Sequence, residues 1–234
     1  MFHDLYKSIF PPACCLCDNK GTSGLDLCVN CHNNLPWNLS YCFKCACPLP
    51  NQGRFENQCG RCLNNSTDID RSIVPFLYRP PVDFMVRRLK FSSDTKFSRL
   101  AGELIAHAVS SHELRESDLP DLLVPVPIHS QRLIQRGFNQ AALIAGVVAE
   151  RLNIRYSGEM LQRINQQLQQ SELSARDRET NIRRAFSVTG EVEDLHVGII
   201  DDVYTTGATA RAIARQLRKA KASKISVWAF ARTP

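Results

Sequence analysis

Eight of the ten cysteines in this 234-residue chain form four Cys-x-x-Cys pairs. A two-residue gap lets a tight turn present both thiolates to one Zn²⁺ ion, and two such turns complete a tetrahedral site. Four pairs therefore predict up to two structural zinc ions, and a site filled by four sulfurs has no open position for catalysis. The predicted ligands are Cys14, Cys17, Cys28, Cys31, Cys42, Cys45, Cys59 and Cys62.

The order in which the four pairs combine is left open by their spacing. Sequential combination joins the first pair to the second and the third to the fourth, whereas a crossed arrangement joins the first to the third and the second to the fourth. Redox chemistry at a Cys-x-x-Cys pair is the competing interpretation. Cys15 and Cys47 are expected to be spare thiols, and His32 a surface residue.

A second group of chemically capable side chains follows a predicted strand at residues 197–200. Asp201 and Asp202 come directly after this apolar run, and a hydroxyl-rich turn at residues 205–209 then opens into a predicted helix. Backbone N–H groups in such a turn, together with the positive end of the helix dipole, bind a phosphate. Adjacent carboxylates repel a phosphate, so we expect them to accept hydrogen bonds from a sugar diol, with a divalent cation nearby.

A phosphorylated ribose combines the two groups that this string is expected to bind. The competing interpretation is an ordinary helix N-cap with acidic residues beside it. Neither a Gly-x-Gly-x-x-Gly nor a Walker lysine motif is present to explain the turn otherwise.

The charge of the chain divides it into two modules. Residues 1–70 contain five basic and six acidic residues, so the formal net charge of +6 arises entirely from the rest of the chain, which has no cysteine after Cys62. We therefore predict a cysteine-rich module at residues 1–65 and a second domain at residues 66–234. The basic excess is compatible with a nucleic acid or another phosphate-bearing partner.

The composition excludes several classes of protein. With 44% hydrophobic and 22% charged residues, the chain can bury a core and is not a disordered tail. It has no apolar run near the ~20 residues that a membrane span needs, so no membrane insertion is expected. The N-terminus lacks the features of a secretory signal, and we expect the protein to be cytoplasmic.

Strand-like and helix-like stretches alternate in the second domain. Apolar runs at residues 122–126, 182–188, 197–200 and 225–230 predict strands, and residues 140–152 and 209–220 predict helices. Residues 73–77 read as a strand broken by Pro75, and residues 84–89 as an amphipathic helix. This alternation predicts an α/β fold whose mainly parallel sheet binds its ligand at the carboxyl ends of the strands.

Several motifs together carry a resemblance to a known family. The string at residues 199–209 is similar to the phosphoribosyl-pyrophosphate (PRPP) signature of type I phosphoribosyltransferases. With the four cysteine pairs before them, the other motifs resemble the ComF family, which joins a double zinc ribbon to a phosphoribosyltransferase-like domain. These motifs are Leu89-Lys90-Phe91, Val124-Pro-Val-Pro127, Arg132, Arg136-Gly-Phe-Asn-Gln140, Gln170-x-x-Leu173, Arg178-x-x-Asn181 and Ala185-Phe186.

The resemblance implies a type I phosphoribosyltransferase fold, a mainly parallel sheet flanked by helices, behind a small double zinc-ribbon module. It implies PRPP or a related phosphorylated ribose as ligand, with Mg²⁺, and Asp201 and Asp202 holding the ribose hydroxyls. The 5′-phosphate would be wrapped by Thr205, Thr206, Gly207, Ala208 and Thr209.

The resemblance also suggests residues for the rest of PRPP. The candidates for the pyrophosphate loop are Ile128, His129, Ser130, Arg132 and Arg136. A solvated helix face, and a structural turn at Arg-Gly-Phe-Asn-Gln, are the alternatives for the two arginines. The polar stretch at residues 162–184 corresponds to a closing lid in related transferases, with Gln170, Arg178 and Asn181 as candidates, and the alternative is a solvated helix.

Two functions follow from the resemblance, both linked to DNA uptake in natural transformation or to DNA utilisation. One is Mg²⁺-dependent displacement of pyrophosphate from PRPP by an unidentified acceptor. The other is a non-catalytic adaptor that binds PRPP or single-stranded DNA and docks a DNA-uptake or recombination protein through its zinc module. Basic residues Arg211, Arg215 and Arg218 share one predicted helix face that is compatible with DNA, but we favour the alternative of a solvated outer helix whose basic last turn suits its dipole.

Overall fold

A computed structural model describes residues 13–22, 25–50, 58–91, 95–111, 118–164 and 185–234. Its centre is a six-stranded parallel sheet in the order β1-β8-β7-β3-β4, and β2 also pairs with β8. The strands are β1 (Arg71–Ile73), β2 (Phe76–Leu77), β3 (Leu122–Pro125), β4 (Arg155–Tyr156), β5 (Leu161–Arg163), β6 (Phe186–Val188), β7 (His196–Tyr204) and β8 (Lys224–Arg232). The helices are α1 (Val29–Asn33), α2 (Gly60–Asn64), α3 (Val82–Phe91), α4 (Lys96–Ser111), α5 (Ser130–Arg136), α6 (Gln140–Leu152) and α7 (Ala208–Lys219).

The predicted α/β architecture is confirmed, with two corrections to its strands. The strand predicted near residues 182–188 is not part of the parallel sheet, because β6 pairs antiparallel with β5 in a separate ribbon. The strand predicted to stop at Asp201 continues to Tyr204, because β8 extends alongside it and pairs as far as Arg232. The two carboxylates therefore lie within β7 rather than after it.

Both faces of the sheet are covered, and β8 shows how one strand serves both. Trp228 and Phe230 are buried in the hydrophobic cluster that contains residues of α3, α4 and α6. Val227 and Ala229 point the other way, into the cluster that contains the apolar face of α7. This alternation is what a strand buried on both faces requires, because successive side chains leave a sheet in opposite directions.

The cysteine module is built from two similar halves. Each half begins with a turn closed by an isolated antiparallel bridge, between Ala13 and Lys20 in the first and between Tyr41 and Pro48 in the second. The residue after each turn's second cysteine has a left-handed backbone, Asp18 in one half and Ala46 in the other. The second cysteine pair of each half begins at the N-cap of a short helix, α1 or α2.

The cysteine module packs directly on the sheet. Its residues Leu27 and Leu35 belong to the same buried cluster as Phe76 of β2. The side-chain amide of buried Asn38 donates to the carbonyl oxygens of Ala46, at 3.0 Å, and of Val74, at 3.2 Å. The buried apolar clusters contain residues from both sides of residue 65. The domain boundary near that residue stays a prediction. Within the described ranges, none of the helices is long and apolar enough to span a membrane.

Candidate functional site

The cysteines form two compact groups in the sequential arrangement. Cys14, Cys17, Cys28 and Cys31 make one group and Cys42, Cys45, Cys59 and Cys62 the other, with all Sγ atoms of a group within 4.8 Å of one another. The Cys17–Cys28 and Cys45–Cys59 sulfur distances are both 3.6 Å. A tetrahedral ion with 2.3 Å Zn–S bonds separates its sulfurs by about 3.8 Å, so both groups fit zinc.

This arrangement settles the alternative that the spacing left open. A crossed combination of the cysteine pairs is wrong, because each half of the module folds as its own unit and brings its own two pairs together. Cys15, Cys47 and His32 belong to neither group, as expected. Both Cys₄ groups support structural zinc.

The predicted carboxylate pair lies in β7 close to a lysine that sequence reasoning did not assign. Nζ of Lys90, near the end of α3, is 3.2 Å from Oδ2 of Asp202. The other Asp202 oxygen accepts from the backbone N–H of Val203 at 2.8 Å, and Asp201 accepts from the N–H of Asp202 at 2.9 Å. Both carboxylates are thereby fixed in orientation.

The environment of Asp201 opposes its charge. Burial raises the pKa of its carboxyl group well above the ordinary value, and the neighbouring negative charge of Asp202 raises it further. Lys90 acts in the opposite direction and lowers the Asp201 pKa. A ligand that donates hydrogen bonds to these oxygens would compensate the charge that the protein itself leaves poorly solvated.

The turn that follows β7 has the conformation expected of an anion-binding loop. Gly207 precedes α7 with φ +76°, and Thr205 and Thr206 are exposed. A Cβ on Gly207 would lie 2.9 Å from the buried Tyr204 hydroxyl oxygen, so a larger residue does not fit. The Thr206 hydroxyl accepts from the Ala208 N–H at 3.3 Å, and Thr209 lies in the first turn of α7.

The proposed pyrophosphate loop follows β3, the neighbour of β7. The β3–β7 register continues to Pro125 opposite Ile200, and the Val126 N–H then donates to the Ile200 carbonyl at 2.9 Å. Residues 127–129 therefore leave the sheet at the edge where Asp201 lies. His129 is the N-cap of α5, with Nδ1 accepting from the Gln131 N–H at 3.2 Å, so its side chain has a structural partner.

The segment Arg-Gly-Phe-Asn-Gln ends one helix and begins the next. Gly137 closes α5 with φ +78°, and the Asn139 side chain caps α6 while donating to the Val126 carbonyl at 3.0 Å. Arg136 donates to the side-chain oxygen of Gln140 at 3.2 Å. Arg132 is exposed. Burial lowers the pKa of Arg163 on β5, and the charge of Arg132 lowers it further. The motif therefore joins α5 to α6, and both arginines lie on α5 after the loop.

Two other sets of predicted residues have different outcomes. The lid candidates Gln170, Arg178 and Asn181 lie outside the described residues.

The basic face predicted for α7 is largely neutralised, since Arg215 lies 4.0 Å from Asp68 and Arg218 pairs with Asp70. Beyond the helix, Lys221 and Lys224 pair with Glu193 and Asp118. Two of the three arginines of the predicted face are thus paired with carboxylates among the described residues.

One arginine near the site was missed altogether. Arg232, at the end of β8, is 4% exposed and donates to the carbonyl oxygens of Cys45 and Tyr204, each at 3.1 Å. Its guanidinium carbon lies 5.3 Å from the centre of the Tyr204 ring. In the sequence, Arg232 is only an arginine at the end of an apolar strand. That pattern does not indicate that its side chain contacts Cys45, a predicted zinc ligand.

Comparisons with known proteins cover nearly the whole chain. A family model described as a double zinc ribbon domain matches residues 5–63. DNA utilization protein YhgH of Salmonella typhi is 32% identical over 225 residues, spanning 95% of this chain and 98% of that protein. Competence protein F of Haemophilus influenzae is 31% identical, spanning 88% and 90% of the two chains.

The similar solved structures match in part. Glutamine PRPP amidotransferase from B. subtilis covers 62% of this chain, at 21% identity and a TM-score of 0.43, and this chain spans 30% of it. Purine phosphoribosyltransferase from Pyrococcus horikoshii covers 58%, at 15% identity and a TM-score of 0.35. The similarity to YhgH and competence protein F over both full lengths, together with the two Cys₄ groups, shows that the chain belongs to the ComF family.

Proposed function

We propose that this protein binds PRPP, or a closely related phosphorylated ribose, at the carboxyl edge of β3 and β7. The observation that supports the proposal is that three groups meet at this edge of two adjacent strands. They are the carboxylates of Asp201 and Asp202, the glycine turn before α7, and the loop that follows β3. Ligands of parallel α/β sheets bind at such an edge.

Each group has a role suited to its chemistry. The Asp201 and Asp202 oxygens accept hydrogen bonds from the ribose hydroxyls, and the turn at residues 205–209 offers N–H groups and threonine hydroxyls to the 5′-phosphate. The loop at residues 128–130 then faces pyrophosphate. Arg132 and Arg136, which flank this loop on α5, supply positive charge near that group.

Mg²⁺ fits this arrangement as a partner of PRPP. The oxygens of pyrophosphate and of the ribose hydroxyls are the hard ligands that Mg²⁺ prefers, and the β7 carboxylates place negative charge nearby. Bound there, the ion would neutralise charge on the leaving group. The ion pair with Lys90 holds the Asp202 side chain in place before the ligand arrives.

A PRPP site of this kind supports displacement at C1 of the ribose. A nucleophilic acceptor forms a bond to C1 while the C1–O bond to pyrophosphate breaks, pyrophosphate leaves with the electron pair, and the acceptor loses its proton to solvent or to a base. We further infer that the protein serves DNA utilisation or competence. The names of its full-length relatives, DNA utilization protein YhgH and competence protein F, support that inference.

The first test is calorimetric titration of the zinc-loaded protein with PRPP and MgCl₂. We expect the parent protein to bind and the double variant Asp201→Asn/Asp202→Asn to lose at least about tenfold in affinity, since a diol loses two charged acceptors. Asp194→Asn is the matched control, because this exposed residue precedes β7 and has φ +59°, which asparagine tolerates. Absence of binding by the parent protein would contradict the proposal.

The same variants test whether the proposed site is needed for group transfer and for the use or uptake of DNA. Pyrophosphate release from PRPP with nucleobases, nucleotides or DNA as acceptor would demonstrate transfer, whereas binding without release would indicate an adaptor. In a strain that lacks the chromosomal copy, the parent protein and Asp194→Asn should restore use or uptake of DNA, and the double variant should not. Restoration by the double variant would separate the site from the DNA function.

A further inference from the structure

The second Cys₄ group lies against the turn that we assign to the 5′-phosphate. A cavity of about 330 Å³ has walls from both modules, with Cys59 and Arg61 on one side and Thr205 and Thr206 on the other. Arg232 and Thr233, at the end of β8, complete it. The zinc module therefore borders the ligand site directly.

A smaller neighbouring cavity of about 90 Å³ adds two cations to the same region. Lys44, from the cysteine module, and Arg211, from the first turns of α7, both line it, and Arg61 lines both cavities. Polar groups of Asn65 and Thr67 also face it. Each module thus contributes cations to one continuous surface beside the turn.

Four basic residues on and after α7 differ from these cations in having acidic partners. Arg215, Arg218, Lys221 and Lys224 all pair with carboxylates. Among the residues that the structure describes, no carboxylate forms an ion pair with Lys44, Arg61, Arg211 or Arg232. Positive charge that no described carboxylate neutralises therefore lies where the two modules meet.

Two of the arginines are held in place by uncharged partners. Arg211 donates from Nη1 to the Thr206 carbonyl at 2.8 Å, and buried Arg232 donates to the carbonyls of Cys45 and Tyr204. Arg61 lines the smaller cavity beside Cys45 and Cys62. A guanidinium has five N–H donors, so these contacts fix the groups without exhausting them.

The zinc site cancels only part of this charge. A Zn²⁺ ion with four thiolates has a net charge of about −2, which two of the four cations balance. The remaining positive charge lies beside an anion-binding turn, where a phosphate forms charge-assisted hydrogen bonds. An anionic group is the ligand chemistry that this surface favours.

We propose that the zinc module supplies a second phosphate subsite, formed by Lys44, Arg61 and Arg211 next to the 5′-phosphate turn. A ligand whose 5′-phosphate carries a further phosphate then spans both modules, with the first phosphate on the turn and the second between Lys44 and Arg211. Nucleoside 5′-diphosphates are the class that presents this arrangement together with a ribose diol. The proposal rests on the proposed function, because it places the ribose and its first phosphate in the same site.

The test compares uridine 5′-monophosphate (UMP) with uridine 5′-diphosphate (UDP) as ligands of the zinc-loaded full chain. UDP should bind about tenfold more tightly than UMP, as expected when a second phosphate gains one or two charge-assisted hydrogen bonds. Lys44→Gln and Arg211→Gln should each reduce that preference at least about threefold while the affinity for UMP changes less. Lys219→Gln removes the same charge from an exposed position on α7 and should leave the preference unchanged.

Zinc content, measured as two equivalents per chain, shows that each variant retains its fold. Equal binding of UMP and UDP, or no binding of either, would overturn the second subsite. A UDP preference that survives both Lys44→Gln and Arg211→Gln would also overturn it. If the preference depends on these residues but UMP binding is unaffected by Asp201→Asn/Asp202→Asn, the subsite stands and the proposed ribose site is the part that fails.

Discussion

The carboxyl group of Asp201, which we assign to the proposed ribose site, has a cost for the stability of the fold. It is partly buried beside a second carboxylate, and burial and the neighbouring charge both raise its pKa. A raised pKa means that the folded chain binds the proton more tightly than the unfolded chain does. Stability from this group is therefore full below the ordinary aspartate pKa and is lost as the pH rises through the higher folded-state pKa.

Asp201→Asn should make the protein more stable at neutral pH while abolishing its affinity for PRPP. Asparagine imitates the protonated carboxyl group, and its oxygen still accepts from the Asp202 N–H. We expect the Tm to rise by a few degrees at pH 7.5 and the gain to shrink toward about pH 4, where the parent carboxyl is itself protonated. Asp194→Asn should show neither effect in the same thermal scans, and an unchanged or lower Tm for Asp201→Asn would contradict this account.

The unit formed by β7, the turn and α7 depends on Gly207. Two constraints act there, a left-handed backbone with φ +76° and the closeness of the Tyr204 hydroxyl oxygen and of Nη1 of Arg211. Gly137, which ends α5, has nearly the same φ of +78° but nothing within 4 Å of its Cβ position. Comparing the two glycines separates backbone strain from steric exclusion.

Gly207→Ala should lower both the Tm and the affinity for ribose 5-phosphate, the latter by about tenfold or more. Gly137→Ala should cost only about 1 kcal/mol of stability, as expected for alanine at positive φ, and leave the affinity unchanged. Tyr204→Phe removes the clashing oxygen, so the double variant Gly207→Ala/Tyr204→Phe should recover part of the loss. If Gly207→Ala changes the Tm and the affinity only as much as Gly137→Ala does, the close contacts at Gly207 do not contribute to ligand binding.

Across the full chain, the zinc module and the sheet form one packed structure. Arg99 of α4 pairs with Asp26, and the Ser72 N–H of β1 donates to the Phe43 carbonyl at 2.7 Å. Arg232 joins the second Cys₄ group to β7. Because the buried clusters span both modules, loss of zinc removes support from the sheet as well as from the ribbons.

We expect the zinc-loaded protein to unfold in one calorimetric transition and chelation of zinc to lower the Tm of that transition as a whole. Metal binding to the folded chain adds its free energy to the stability of every part that unfolds with it. Restoring Zn²⁺ should restore the Tm, which controls for damage by the chelator. Two transitions, with the upper one indifferent to zinc, would show that the modules unfold independently.

All eight cysteines of the two Cys₄ groups, the α/β class and the glycine turn before α7 could be predicted because each depends on neighbouring residues. Cys-x-x-Cys spacing, a glycine before a helix and an apolar run of strand length are local patterns. The end of β7 and the pairing of β6 were predicted wrongly, because the first depends on how far β8 continues and the second on β5. In both cases the paired residues lie more than about 20 positions apart in the sequence.

The sequence by itself determined which cysteines form the two Cys₄ groups and which residues we propose for a phosphate and a diol, since these assignments depend on side-chain types and short turns. Only the tertiary structure decided that the cysteine pairs combine sequentially and that Lys90 meets Asp202. It also brought Arg232 to Cys45, 187 residues away, and so placed the zinc module beside the phosphate turn. Contacts of this kind follow from the order of strands in the sheet and the packing of two modules on one core, which no local pattern encodes.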